Sequence, residues 1–255
     1  MRILLTNDDG IDAPGLHALR QIAAELSDDV WVVAPETNQS GASHSLTLHE
    51  PLRMRELDAR AFAVRGTPTD CVIMAVRHLM KDNAPTLVLS GVNRGANLAE
   101  DVTYSGTIAG AFEGATLGIR SIALSLAYGI EPGKGLRWET AIAHGPALIR
   151  KLLALEWDAW SVMNVNFPDC DPDKVAGISI TEQGRRDPGM LAIDERTDTW
   201  GTPYYWLAFK RRRSNAPAGT DLSAIYANRI SVTPLYLNLT HRTLRTRLQE
   251  TFGTE

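Results

Sequence analysis

The stretch RILLTNDDGIDAPGLHALRQIAAEL, residues 2–26, decides the fold. An unbroken apolar run gives way to a polar turn, and the turn to a segment whose apolar residues return at helical spacing. A strand that is apolar at consecutive positions is buried on both faces, the condition of a strand inside a parallel sheet. The same rhythm recurs in VWVVA, TDCVIMAVRHLM, TLVLS, GTIAGAFEGATLG, SIALSLA, WETAIAHGPALIRKLLAL and AWSVMNVNFP, the last halting at Pro168. Helices between such strands supply the crossovers that parallel pairing needs. The expectation is a doubly wound α/β domain.

After about residue 175 the pattern changes. Pro, Gly, Trp and Tyr are scattered through QGRRDPGM, DTWGTPYYWLAF and SNAPAGTDLSAI, which reads as an antiparallel extension. RISVTPLYLNLT is a final strand region and RTLRTRLQETF a short terminal helix. The expected division is therefore a core over 1–174, carrying the site, and a β-rich segment over 175–255.

With 255 residues, 44% hydrophobic and 22% charged, the chain has ordinary globular composition and enough length for a sizeable core. A net charge of −4 gives no basic footprint of a general nucleic-acid binder. The one dense basic run, KRRRS at 210–214, reads as a solvated turn, with an oligomer or anion contact as the alternative. Cys71 and Cys170 are too few for a disulfide framework and lack metal or redox spacing, so both are expected as small buried residues. ILL followed by TNDDG does not make a secretory h-region, and no run approaches the about 18 apolar residues of a membrane span. The expectation is a cytoplasmic protein with no membrane partner.

In open α/β sheets ligands bind beyond the carboxyl ends of the strands. Three polar, Gly-rich clusters fall there: Asn7 to Gly10, Pro35 to Ser43, and Gly91 to Asn97. Asp8 and Asp9 are adjacent carboxylates that repel each other. One reading has one of them capping the next helix and the other facing water. Pro14 suits a first helical turn, which makes Asp12 the better cap and leaves the pair to be explained. A divalent cation removes their repulsion and takes oxygen from carboxylates, hydroxyls and amides. Ser40 and Asn93 offer such oxygens, although Ser40 equally suits a flexible loop and Asn93 a turn between Gly91 and Gly95. The combined set suits Mg or Mn with positions left for substrate and water.

YSGTIAGA places Ser105, Gly106 and Thr107 at an expected helix start, where free N–H groups and two hydroxyls can face an anion. Simple capping by Ser105 or Thr107 is the alternative. No Walker A, G-x-G-x-x-G, H-E-x-x-H or G-x-S-x-G pattern occurs at the relevant positions, which disfavours P-loop, dinucleotide, zincin and serine-hydrolase chemistry. His44 is expected to face solvent, and Thr67 to Asp70 to cap a helix.

Taken in order, NDDG (7–10), VVAP (32–35), SGASHSLT (40–47), GTPTDCV (66–72), SGVNRGAN (90–97), YSGTIAGAFEG (104–114), NVNFP (164–168) and ISVTPL (230–235) resemble the SurE family of stationary-phase survival proteins. The resemblance implies a Rossmann-like core, a mostly parallel sheet with a β-rich C-terminal extension, and homodimers or tetramers that exchange the extension and C-terminal segment. It implies hydrolysis of nucleoside 5′- and 3′-monophosphates, and of short polyphosphate in some members, with one Mn or Mg per subunit. Asp8, Asp9, Ser40 and Asn93 would be the metal ligands, and Asn97, Ser105, Gly106 and Thr107 would hold phosphate. Asp8 and Asp9 would be catalytic, Asp9 orienting or deprotonating the attacking water. The chain departs from the family pattern at Ala99, where glycine is more usual, and at Ile108 and Gly110. Two rival readings remain. One is an aspartyl-phosphate phosphatase, which needs carboxylates two apart and a later lysine. The other is a non-catalytic nucleotide sensor.

Overall fold

The computed structural model describes residues 1–128, 135–189, 191–209 and 213–253. Along the chain come β1 (Ile3–Thr6), α1 (Pro14–Ala24), β2 (Val30–Pro35), β3 (Arg53–Asp58), β4 (Ala61–Arg65), α2 (Pro68–Met74), β5 (Leu87–Arg94) and α3 (Gly106–Thr116). There follow β6 (Arg120–Leu126), α4 (Trp138–Leu153), β7 (Ser161–Phe167), β8 (Ile178–Ile180), β9 (Leu191–Thr197), β10 (Pro203–Phe209), α5 (Asp221–Tyr226), β11 (Ile230–Tyr236) and α6 (Arg242–Phe252). One nine-stranded sheet has the order β3-β4-β2-β1-β5-β6-β7-β11-β8. From β4 to β7 every neighbour pair is parallel, whereas β3 and β11 pair antiparallel with β4 and β7. The fold is the expected mostly parallel α/β arrangement.

The apolar run of β1 explains its place at the centre. Ile3 and Leu5 pack with residues of α1 and α4, while Leu4 packs on the opposite face with Val72 and other α2 residues. All three are fully buried, each a contribution of about 1.5–3 kcal/mol. The chain leaves β1 toward β2 and β4, then returns to β5 on the other side of β1. The order reverses between β1 and β5, and at such a switch point the loops beyond the carboxyl ends part to leave a crevice. At that end the β5–β6 register shifts between Ser90 and Asn93. Gly91 lies there with φ +136°, and a Cβ on it would come within 2.1 Å of the Leu124 carbonyl oxygen.

Beyond residue 174, β8 and β11 continue the main sheet, while β9 and β10 form a separate antiparallel pair. α5 and α6 complete the segment, and α6 buries none of its side chains. Lys210, Arg211 and Arg212 of the basic run lie outside the described residues. Arg213 places its guanidinium 5.1 Å from the centroid of the Tyr226 ring.

Local expectations fare unequally. Pro14 opens α1, yet the N-cap is Ala13, with no side-chain cap; Asp12 stands one residue too early to reach the helix donors. Thr67 and Asp70 form a reciprocal capping box on α2, as expected. β3 and β4 were not legible as strands. β3 is an edge strand of charged, mostly exposed residues, and β4 offers only five. Cys71 and Cys170 are free and buried.

Candidate active site

The crevice is built from loops drawn together by backbone bonds. Beyond β1, Ile11 N donates to the Pro35 carbonyl at 2.8 Å, and Gln39 N donates to the Asp8 carbonyl at 2.7 Å. The loops after β1 and β2 are thereby tied side by side. Asn7 is buried; its amide donates to the Gly10 carbonyl at 2.9 Å, and its side-chain oxygen has no partner among the described residues.

Asp8 is 4% exposed and lies against the first turn of α3. Its Oδ1 accepts a 2.5 Å hydrogen bond from the Thr107 hydroxyl. A Cβ on Gly106 would fall 2.7 Å from the Asp8 Cβ, so the helix can start this close only with glycine there. Burial pushes the Asp8 carboxyl up to about 6, the Thr107 hydrogen bond opposes that rise, and the Asp9 charge adds to it.

Asp9 binds the loop after β2 and the end of β5. Its Oδ2 accepts from Arg94 N at 3.0 Å, and its Oδ1 faces the Asn38 amide at 3.5 Å. Asn38 in turn accepts from Ser40 N at 2.8 Å, which links Ser40 to Asp9 through the Asn38 side chain. Asn93 donates its amide to the Gly95 carbonyl at 2.9 Å, so the local turn holds its nitrogen and leaves its side-chain oxygen without a protein partner among the described residues. Asp8, Asp9 and Ser40, on loops, and Asn93, at the end of β5, thus lie at one end of the sheet. Among the described residues neither carboxylate has an ion-pair partner, and no group of three or more His, Cys, Asp or Glu comes together. A cation here would draw on hydroxyl and amide oxygen as well as carboxylate. That hard-oxygen set, around two carboxylates without a counter-charge, fits a hard divalent cation.

The residues expected to hold phosphate occupy two settings. Ser105 is the N-cap of α3 and accepts from Ile108 N at 3.1 Å, with Gly106 and Thr107 following it against Asp8. Asn97 is 6% exposed and sits in an amide network. Its amide donates to Ser125 Oγ at 2.8 Å, its N–H to Asn166 Oδ1 at 2.8 Å, and its carbonyl accepts from Asn164 and Asn166. The motif NVNFP therefore lies directly behind Asn97.

His44 is exposed, as expected, yet it is not without partners. Its Nε2 lies 3.0 Å from a Glu113 carboxylate oxygen on α3, and its ring packs at 6.3 Å from that of Phe112. Residues 69 apart carry no local signal of such a pair. The Arg94 N–H on Asp9 was equally hidden, being a backbone group.

A family model described as survival protein SurE matches residues 3–189. The 5′-nucleotidase SurE of Methylobacterium nodulans is 59% identical over 253 residues, 99% of this chain and 100% of that protein. The 5′-nucleotidase SurE of Parvibaculum lavamentivorans is 56% identical over 254 residues, 100% of this chain and 92% of that protein. The crystal structure of the SurE protein from Aquifex aeolicus is similar with a TM-score of 0.85 at 39% identity, covering 98% of this chain and 99% of that one. With sequence and fold agreeing over nearly the whole length, the chain belongs to the SurE family.

Proposed function

We propose that this protein is a divalent-metal-dependent phosphatase that releases phosphate from nucleoside 5′- and 3′-monophosphates, with short polyphosphate as a further substrate. The observation that carries the reading is the Asp8–Asp9 pair at the switch point. Asp8 is buried, its carboxyl is pushed up to about 6, and the described chain brings no cation to either residue. The curated relatives named 5′-nucleotidase support the nucleotide as substrate.

In this reading Asp8, Asp9, Ser40 and Asn93 hold one Mn or Mg. A divalent cation so held supplies Lewis-acid neutralisation of phosphoryl charge and acidifies water. Asp9, more open than Asp8 and hydrogen-bonded at its far oxygen by Arg94 N, orients the attacking water and accepts its proton. Ser105 offers its hydroxyl, and the Gly106–Thr107 turn backbone donors, to the equatorial oxygens as charge shifts to the leaving group, while the Thr107 hydroxyl stays on Asp8. Asn97 fixes the far side of the phosphate pocket through its amide network.

The same reading makes the protein a homodimer or tetramer in a cytoplasmic setting, with no nucleic-acid polymer as partner. No described helix is long and apolar enough to cross a membrane. On the β9–β10 hairpin Ile193 is 69% and Leu207 73% exposed, and Trp200 beside it 88%. Such a surface supports exchange of residues 175–255 between subunits. The test is phosphate release from AMP by EDTA-stripped protein with and without added Mn or Mg, alongside Asp8→Ala. Metal-dependent release that vanishes in the variant is expected. Folded protein that binds AMP but releases no phosphate with either metal would make it a sensor.

A further inference from the structure

Ala99 has φ +52°, in the left-handed region that favours glycine, and it is fully buried. It opens the 3-10 turn Ala99–Thr103 between β5 and α3. That segment is the direct chain link between Asn93 and Asn97 on one side of the crevice and Ser105 to Thr107 on the other. An alanine held this way persists only where its surroundings over-determine it.

Both sides of Ala99 are gripped by residues more than 80 positions away. Asp221, fully buried, accepts from Ala99 N at 2.8 Å, from Gly184 N at 2.9 Å and from Leu222 N at 2.7 Å. Gln183 donates its amide to the Ala99 carbonyl at 2.9 Å. The grip continues downstream: Arg186 N donates to the Glu100 carboxylate at 3.0 Å, and the Arg186 guanidinium forks onto Asp101. Asp221 is not needed to cap α5, because Thr220 does so. A Cβ on Gly184 would lie 2.7 Å from Asp221 Oδ1, so this backbone approaches the carboxylate as closely as glycine permits.

We propose that Asp221 and Gln183 form a clamp that holds Ala99 left-handed and thereby sets the spacing of the two halves of the crevice, with Asp221 as a positioning residue for phosphate binding. The clamp also makes the C-terminal segment part of the site's scaffold. Its kinetic consequence rests on the phosphatase reading; its structural consequence does not.

The experiment uses the full chain loaded with Mn, in Asp221→Asn, Ala99→Gly and the double variant. Asp221→Asn replaces an acceptor by a donor facing backbone N–H groups, and should raise KM for AMP about tenfold with a smaller change in kcat. Ala99→Gly alone should leave both near wild type. The double variant should return KM to within about threefold of wild type, because glycine takes a positive φ without the clamp. Amide hydrogen exchange over residues 97–105 should rise in Asp221→Asn and stay raised in the double variant, where glycine does not replace the lost acceptor, whether or not phosphate is released. Unchanged exchange in Asp221→Asn, or identical KM in the single and double variants, overturns the clamp. A wild type that releases no phosphate sinks the phosphatase reading alone, and exchange then decides the clamp. If Asp221→Asn does not fold, Gln183→Ala in the same cycle is read by the same criteria.

Discussion

Asp70 and Asp8 are both buried aspartates at the junction of a strand and a helix, 3% and 4% exposed. Around Asp70 the chain answers every demand of the carboxylate. Thr47 N donates at 3.1 Å, the Thr47 hydroxyl at 2.6 Å and Thr67 N at 2.8 Å. Around Asp8 the described chain offers the Thr107 hydroxyl and local backbone N–H groups, which do not offset burial and the adjacent carboxylate, so its carboxyl stays lifted to about 6. Burial of an acid therefore does not by itself mark function. The mark is demand left unmet by the chain, and here it falls at the point where the strand order reverses.

The sharpest way to break this comparison is to remove charge at the switch point and read activity against stability. Asp9→Asn should lower kcat with AMP by about 10²- to 10⁴-fold and leave the denaturation midpoint of the metal-free protein unchanged or raised. Parallel loss of activity and stability would make Asp9 a structural carboxylate like Asp70.

The next effect is a pH dependence in metal-free protein. A carboxyl raised from 3.8 to about 6 binds its proton more tightly folded than unfolded. Its contribution to stability is fully present below 3.8, falls as pH rises through about 6, and is absent above that. At pH 7 the charged Asp8, whose hydrogen bonds do not offset its burial, then costs about 3 kcal/mol relative to its protonated form. Asp8→Asn should recover much of that, making the variant more stable than wild type at pH 7.5 but not at pH 4, and saturating Mn should erase the advantage. Denaturant midpoints of the two proteins across pH 4–8 check this. A wild-type-minus-variant difference that does not vary with pH would remove the unmet demand from Asp8.

Asp70→Ala should do the opposite. It strips a satisfied acceptor and exposes buried donors, so stability should fall by about 2 kcal/mol at pH 7 while kcat of the folded protein stays within a few-fold. Urea denaturation and a metal-saturated assay on the same sample separate the two quantities.

How much of this contrast was readable in advance depends on distance along the chain. The central strands declared themselves by unbroken apolar runs, and Thr67 with Asp70 by a spacing of three. β3 was hidden because a charged edge strand lacks the apolar signature on which strand recognition depends. The candidate site residues came from ordered motifs, but their settings did not. Thr107 meets Asp8 across 99 positions, and Asp221 meets Ala99 across 122. Gly106 was read as a phosphate-holding residue at a helix start, and only the packing shows that any side chain there would strike Asp8. Ala99 was visible as a departure from the family pattern, whereas the positive φ that gives the departure meaning is a property of the folded loop.

The segment 39–47 joins the two aspartate regions and supports the smallest prediction. It is tied to Asp8 through Gln39 N and to Asp70 through Thr47, with Ser43 bonded to the Thr103 carbonyl and His44 paired with Glu113 between them. Because His44 is partly exposed, its pair contributes less than about 1 kcal/mol, and His44→Ala should barely move the denaturation midpoint. Ser40, four residues upstream, depends on the same segment for its position. The variant should therefore need about threefold more Mn for half-maximal AMP hydrolysis, at unchanged kcat under saturating metal. An unaltered Mn titration would mean that the bonds from Gln39 and Asn38 suffice to hold Ser40, and that the Asp8 region is organised independently of the Asp70 region.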